Sequence, residues 1–430
     1  MNNQTRERQI NIERDVNVHF EDRKKSRAFF WFMWIIYAVI MMTKTSFNGA
    51  MADIVYEGFL TKQQTGFIIM AFYIVYTPLQ IFGGIAADKF SPERLIEIGL
   101  LGGAISNAVI YLNQSYTVML IAWVFNGISQ FALWASIFKV VSSQCVRSDR
   151  EKMLFYLSLS PTAGMLLSYA VAGFVPKWQL NFAISAIALG ALLIILLIFD
   201  RYANRYLVWD KEEVAIPSVS QKNSHGGTLR LFYSSGFIFI LVCLFLRDTV
   251  SQSARSIGPT LLMETFNTPP SVSTLLNVLV IVSCGLGVLG GKALLGLRIV
   301  KNLHLGIISL HAIALVGCVS LYFAQNLILT VASLCIIAFA STATFLFTNI
   351  LSSAFAKYGK NATAAGLSNF ATSIGFIATS GATLSIAENR GWGAVKLMLV
   401  ILMATSILAT LFSLILNKKF EKEEGKEAES

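Results

Sequence analysis

Lys44 and Arg247 each stand inside a run of apolar residues long enough to cross a lipid bilayer. A cation at that depth costs at least about 2.5 kcal/mol, and its natural chemistry is to hold a negative charge. Lys44 lies about two-thirds of the way along its run, with Asn48 one helical turn further on the same face. Its ammonium would act as a point charge, whereas the Arg247 guanidinium can offer parallel N–H donors to one anion. The alternative for each cation is a local pair, with Asp53 or Asp248, or an extended side chain reaching an interface. Asp248, Gln252 and Arg255 share one helical face, so Asp248 and Arg255 either pair internally or Arg255 adds a second binding cation.

Gln80, Gln130 and Asn369 are polar residues at cavity depth, as are Asn349 and Thr372. Each suits a substrate contact or a hydrogen bond between helices. Lys139 lies near the end of its run beside a basic loop, which favours a packing or interface role. Tyr37, Tyr73 and Tyr76 suit either the pore lining or, the favoured reading, packing, and Trp31, Trp34, Trp178 and Trp392 near the run ends read as interface anchors. His19, His225 and His304 fall in loops, and His311 is alone in an apolar run. The five cysteines are spread widely and read as small buried hydrophobes. No metal site, cofactor loop or nucleophile–base arrangement emerges, so no enzyme is expected.

These residues must be held by membrane helices. The 430-residue chain is 55% hydrophobic and 13% charged, with mean hydropathy +0.63. A soluble domain carries about 25% charged residues, so one water-soluble core cannot hide this surface. The expected fold is an all-α integral membrane protein of about twelve spans. The first run covers Phe29 to Ala52. Others start near Gln64, Leu95, Tyr116, Lys152, Trp178, Arg230, Ser271, Asn302, Leu327, Asn361 and Ala394. No cleavable signal precedes the first run. The expected division is a polar arm at 1–28, a bundle of six helices at 29–200, a linker at 201–229, a second bundle of six at 230–417 and a tail at 418–430. The linker, with Asp210-Lys211-Glu212-Glu213, Pro217 and Gly226-Gly227, has the composition of a mobile spacer.

The net charge of +10 resides in alternate connections between runs. They include the arm with Arg6, Arg8 and Arg14, the Lys89/Arg94 loop, the Arg147/Arg150/Lys152 loop and the Lys292/Arg298/Lys301 loop. The opposite connections are nearly bare, with Lys62, Lys177 and Arg390 as their main cations. That asymmetry orients a membrane protein and predicts two cytoplasmic termini in a plasma membrane. It argues for lipid, not nucleic acid, as the partner surface.

Gly83-Gly-Ile-Ala-Ala-Asp-Lys-Phe-Ser-Pro-Glu-Arg94 joins the second and third runs. It resembles the signature loop of the major facilitator superfamily, with Gly84, Asp88 and Lys89 matching, Ser91 at a glycine position and Arg94 near the second basic site. The resemblance implies two pseudo-symmetric bundles with a site between them, and a latch formed by Gly84, Asp88, Lys89 and Arg94. Gly290-Gly291-Lys292 echoes the glycine pair in the second half. Further patterns are similar to the organophosphate:phosphate antiporter family: Lys44-x-x-Phe47-x-x-x-Met51, Gly127-x-x-Gln130 with Trp134 and Lys139, Arg247-Asp248 followed by Gly258-Pro259-Thr260, and Ala364-Ala365-Gly366. That family clamps phosphate between basic residues at the positions of Lys44 and Arg247. Gln80 stands where it has a lysine, and Pro161 where it has a histidine.

The expectation is therefore a monomeric secondary transporter of a small organic anion such as a phosphate ester. Scarce buried acids favour exchange or uniport over proton symport. The alternatives are a carboxylate or drug-like substrate, or a receptor on the same fold that binds without transporting.

Overall fold

A computed structural model describes residues 18–20, 22–146, 148–203, 207–209, 227–296 and 302–429. Arg6, Arg8, Arg14, Arg147, Arg298, Lys301, His225 and the Asp210–Gly226 part of the linker lie outside the described residues.

Helices dominate because the apolar runs leave each backbone amide no partner but its own chain. In chain order the helices are α1 (Arg23–Lys44), α2 (Ser46–Tyr56), α3 (Lys62–Lys89), α4 (Pro92–Leu112), α5 (Tyr116–Ser129), α6 (Leu133–Gln144), α7 (Arg150–Leu157), α8 (Ser160–Phe174) and α9 (Gln179–Ala203). After the linker come α10 (Thr228–Ser234), α11 (Phe237–Ser256), α12 (Gly258–Phe266), α13 (Pro270–Gly296), α14 (Leu303–Phe323), α15 (Leu327–Ala343), α16 (Phe345–Ser353), α17 (Asn361–Ala378) and α18 (Leu384–Glu429). A π-helical turn at Thr379–Thr383 joins α17 to α18.

Among the described residues, eleven helical stretches are long and apolar enough to cross a membrane. Six precede the linker and five follow it. The last, Thr363–Glu423, has 61 residues and breaks at Gly391, whose φ of 76° only glycine adopts readily. The break makes two crossings of it, so the expected twelve are present.

Span starts follow sequence cues. Asp22 caps α1 by accepting from the Lys24 amide, so the first helix begins at Arg23, earlier than the expected Phe29. Arg23 and Arg27, read as part of a polar arm, are helical and reach Asp149 at 3.4 Å. Ser91 caps α4 with Pro92 in its first turn. The seventh span starts at Phe237, not Arg230, because Gly236 takes a left-handed φ of 75° between α10 and α11. The last helix runs past 417 into the tail, where Asn417 bonds Glu421 and Lys419 lies 3.9 Å from Glu423.

The linker holds one surprise. Leu207–Trp209 forms an antiparallel strand (β2) with Val18–Phe20 (β1), Val18 opposite Trp209 and Phe20 opposite Leu207. Phe20 is buried and packs on Phe29 at 5.2 Å.

Contacts divide the protein into two units. One contains the chain to Ala50 and from Ala71 to Pro217; the other contains Met51–Met70 and the chain from Ser218. In the first unit, α1 packs on α8 and α4 on α9. Its core gathers Phe29, Phe30, Met33, Ile36, Ile96, Leu100, Ile137 and Leu189. In the second, α11 packs on α17 and α18, and α15 on α13 and α14.

Trp178 is not an interface anchor. It is 1% exposed and packs edge-on against Phe182. His304 is not in a loop but in the first turn of α14, 3.2 Å from Ser413. Four cysteines are buried and Cys335 is half-buried, all as free thiols.

The α1–α8 contact depends on Gly164, where a Cβ would meet the Ala38 carbonyl oxygen at 2.2 Å. Gly164→Val should therefore destabilise the first unit by about 1–3 kcal/mol, the usual cost of overpacking. Thermal unfolding in detergent would register it as a lowered Tm, with Gly190→Val, at an open position, as the neutral control.

Candidate functional site

Lys44 is the last residue of α1, where Thr45 interrupts the first span. The Thr45 hydroxyl donates to the Met41 carbonyl at 2.8 Å, stabilising the break. Lys44 therefore sits at a helix C-terminus, an environment that favours a cation. Its Nζ lies 3.6 Å from the centre of the Tyr76 ring and 5.3 Å from that of Phe72. Those rings stack at 5.2 Å on one face of α3. Gln80, half-buried, follows Tyr76 on that face. Cation–π contact gives about 0.5–2 kcal/mol but supplies no opposite charge. Among the described residues no carboxylate pairs with Lys44, so the local pair with Asp53 does not form. Asn48 is buried on α2, one turn beyond.

Arg247 is handled differently. It is 3% exposed, and its Nη2 is bound to Asp248 Oδ2. Nη1 donates to Thr344 Oγ1 at 2.9 Å and to the Ser341 carbonyl at 3.4 Å, while Nε has no partner. Asp248 Oδ2 also accepts from Thr372 Oγ1 at 2.8 Å. One ion pair thus ties α11 to the α15–α16 break and to α17. Asp248, which shares a helical face with Arg255, is held by the adjacent Arg247 and by Thr372. Arg255 Nε instead donates to the Ser251 carbonyl at 3.2 Å, and its guanidinium lies 5.9 Å from the Phe376 ring centre. Asn369 is exposed on α17, three residues before Thr372 on the same side.

Gln130 points into the first unit. It is fully buried, donates to Asn126 Oδ1 at 2.6 Å and packs against Gly103 of α4. That bond runs between neighbouring turns of one helix, so Gln130 serves the interior packing of the unit.

At the Asp88 turn, Lys139 Nζ donates to the Ala87 carbonyl at 2.9 Å and lies 3.7 Å from Asp88 Oδ1. Lys139, read as a packing residue, therefore contacts the signature loop. Gln144 donates to Glu93 Oε1 at 2.9 Å beside it, and Lys89 and Arg94 are exposed. Gly83, not Gly84, makes the close helix approach. A Cβ at Gly83 would meet the Phe131 carbonyl at 2.7 Å, whereas Gly84 has nothing within 4 Å. In the second unit Gly291 sits likewise on the Ala343 carbonyl, at 2.3 Å. Both carbonyls adjoin a mid-span break, before α6 and before α16. The glycine echo read from sequence is thus an echo of packing.

The sequence reading missed Thr344, Ser341 and the pairing of Phe72 with Tyr76, the latter favoured there as a packing residue. The last had a signal: Phe72, Tyr76 and Gln80 recur every four residues on one helix face.

A profile of the Major Facilitator Superfamily matches residues 33–380. The membrane sensor protein UhpC of Escherichia coli (strain K12) is 30% identical over 98 residues, 23% of this chain and 22% of that protein. A probable hexose phosphate transport protein of Chlamydia trachomatis serovar D is 26% identical over 144 residues, 34% of this chain and 32% of that protein. These alignments span between about a fifth and a third of the relatives' lengths. Among solved structures, the inward-facing, unoccupied form of a bacterial homologue of the human lysosomal transporter Spinster matches with TM-score 0.70 at 14% identity, over 93% of this chain and 99% of that chain. The nucleoside transporter NupG matches with TM-score 0.65 at 14% identity, over 90% and 98%. At such identity these structures speak for the fold alone.

Breaking the Arg247–Asp248 pair from one side should be costly. Asp248→Asn leaves a buried arginine without its counter-charge, an effect of about 3–5 kcal/mol, while Arg247→Met with Asp248→Leu removes both charges and should recover most of the loss. Chemical denaturation of the three proteins in detergent measures the difference. The profile match over most of the chain, together with the all-helical fold and its full-length structural likenesses, makes this multi-pass membrane protein a member of the Major Facilitator Superfamily.

Proposed function

We propose that the protein is a secondary transporter that carries a small organic anion by alternating access, with a phosphate ester the favoured class. One observation carries the reading: Lys44 is held at a span break on aromatic faces, with no carboxylate partner among the described residues. A half-buried ammonium inside a membrane-length span leaves its charge for a ligand to neutralise. Asn48 and Gln80 are the polar contacts beside Lys44, and Arg247, in the second unit, is the other anion-binding candidate, by exchange of Asp248 for an anion with Asn369 on the same helix side as Thr372. Gln130 supports from within the bundle. The hexose phosphate relative and the organophosphate-like patterns around Lys44 and Arg247 support the substrate class. Exchange or uniport remains the favoured mode, and the carrier is a monomer. Both termini face the cytoplasm of a plasma membrane, as the basic connections argue. The Asp88–Lys139 contact, with Gly84, Lys89 and Arg94, acts as the conformational latch on that side.

A second reading has its own support, in the stretch similar to a membrane sensor. On that reading the same cation site binds an anion and signals without turnover. A quinolone resistance protein, NorA of Staphylococcus aureus (strain MRSA252), is 23% identical over 118 residues, 27% of this chain and 30% of that protein, and keeps a drug-like substrate in view.

Counterflow of radiolabelled glucose 6-phosphate into proteoliposomes loaded with the unlabelled ester tests the proposal. Uptake should fall at least about tenfold in Lys44→Ala and survive in part in Lys44→Arg, since a factor of ten is only about 1.4 kcal/mol of lost binding. Saturable binding without counterflow would favour the sensor. Unchanged uptake in both Lys44→Ala and Arg247→Ala would reject the clamp.

A further inference from the structure

The twenty-residue segment Met51–Met70 has two allegiances. By sequence it joins the first two spans, which otherwise belong to the first unit. By contact it belongs to the second unit. It lies at the end of α3 opposite the Asp88 turn. What holds it there is specific.

Lys62, at the start of α3, is the centre. Its Nζ donates to both carboxylate oxygens of Glu264, at 2.8 and 2.9 Å, and lies 3.9 Å from Glu388 Oε2. Its backbone amide donates to the same Glu388 oxygen at 3.1 Å. Trp392 Nε1 donates to Glu264 Oε2 at 2.8 Å and fixes that carboxylate from a third side. The cluster draws on the segment, the end of α12 and both sides of the Gly391 break in α18. The Lys62 side chain is 14% exposed, so the pairs are partly withdrawn from water and gain more than a surface bridge would.

One turn further on, the contact is backbone on backbone. A Cβ at Gly66 would lie 2.3 Å from the Ser380 carbonyl oxygen, and one at Gly381 would lie 2.3 Å from Met70 Sδ. Ser380 and Gly381 belong to the π-helical turn, an opening in the helix that suits a seat for another backbone. Thr65, Ile68 and Ile69 of the same segment are buried. The glycine seat sets the fit. Ion pairs, by contrast, can be broken and remade without disturbing a core.

We propose that Met51–Met70 is a releasable clasp, in which Lys62 held by Glu264, Glu388 and Trp392 keeps the segment seated on the π-helical turn, and that letting go of Lys62 is the step that uncovers this turn. The proposal deepens the carrier reading by assigning a conformational lock to residues outside the substrate site. It needs no substrate, so its failure is distinct from a failure of the anion reading.

The test is thiol accessibility. Ser380→Cys, 3% exposed at the parent residue, is made in a Cys335→Ser background, purified, placed in nanodiscs and exposed to a polyethylene-glycol maleimide. Labelling should be slow in this parent. Lys62→Ala and Glu264→Gln should each speed it at least about tenfold, the shift expected from losing one charge-assisted contact. Glu388→Gln, which keeps the Lys62–Glu264 pair, should give a smaller increase. The buried Cys284 and Cys318 should stay unlabelled throughout. Parent-like rates in both Lys62→Ala and Glu264→Gln would overturn the clasp. So would labelling that spreads to Cys284 and Cys318, which would show general unfolding. Thr383→Cys, fully buried in the same turn, provides the second reporter where Ser380→Cys does not fold.

Discussion

A charge placed among hydrocarbon must find a partner, and Arg247 and Lys44 meet that demand in different ways. Arg247 finds its counter-charge inside its own unit in Asp248, with Thr344 and the Ser341 carbonyl as further acceptors. Lys44 receives only the faces of Tyr76 and Phe72 and the dipole of the helix it ends. The contrast divides the labour. The arginine ties α11 to the α15–α16 break and, through Asp248, to α17, whereas Lys44 meets no opposite charge among the described residues. An anion would complete at Lys44 what Asp248 already completes at Arg247.

The surrounding architecture follows from the same scarcity of water. Helices break at Thr45 beside Lys44, at Thr344 beside Arg247, and at Gly391 beside Trp392. Glycine then allows neighbouring backbones to close over the breaks, as at Gly83 against Phe131 and Gly291 against Ala343. The paired arrangement in the two halves shows that the repeat is one of packing geometry. The charged residues differ between the halves, as expected where the site, not the scaffold, carries specificity.

Much of this was legible in the residues. Hydropathy placed the spans to within a few positions because hydrocarbon tolerates little else, and Leu327 and Tyr116 begin their helices where expected. The seventh span was misplaced because nothing in an apolar run announces that Gly236 will turn left-handed. The strand at Leu207–Trp209 was hidden in a polar linker and exists through pairing with residues far upstream. Site residues were recognisable by type, since Lys44 and Arg247 are anomalous in any membrane span. Their partners were not. Asp248 chooses Arg247 over Arg255 partly through Thr372, which lies 124 residues away in sequence. Gln130 turned inward, and a helix apolar on all sides carries no periodicity to reveal that.

The account stands on Lys44 carrying an unspent charge that selects for anions. Equilibrium binding to the purified protein, comparing glucose 6-phosphate with uncharged glucose, addresses it without requiring transport. The account predicts that the phosphate ester binds at least about tenfold more tightly, a difference of about 1.4 kcal/mol, and that Lys44→Met erases this preference. Equal binding of the charged and uncharged sugars, or a preference untouched by Lys44→Met, would contradict it.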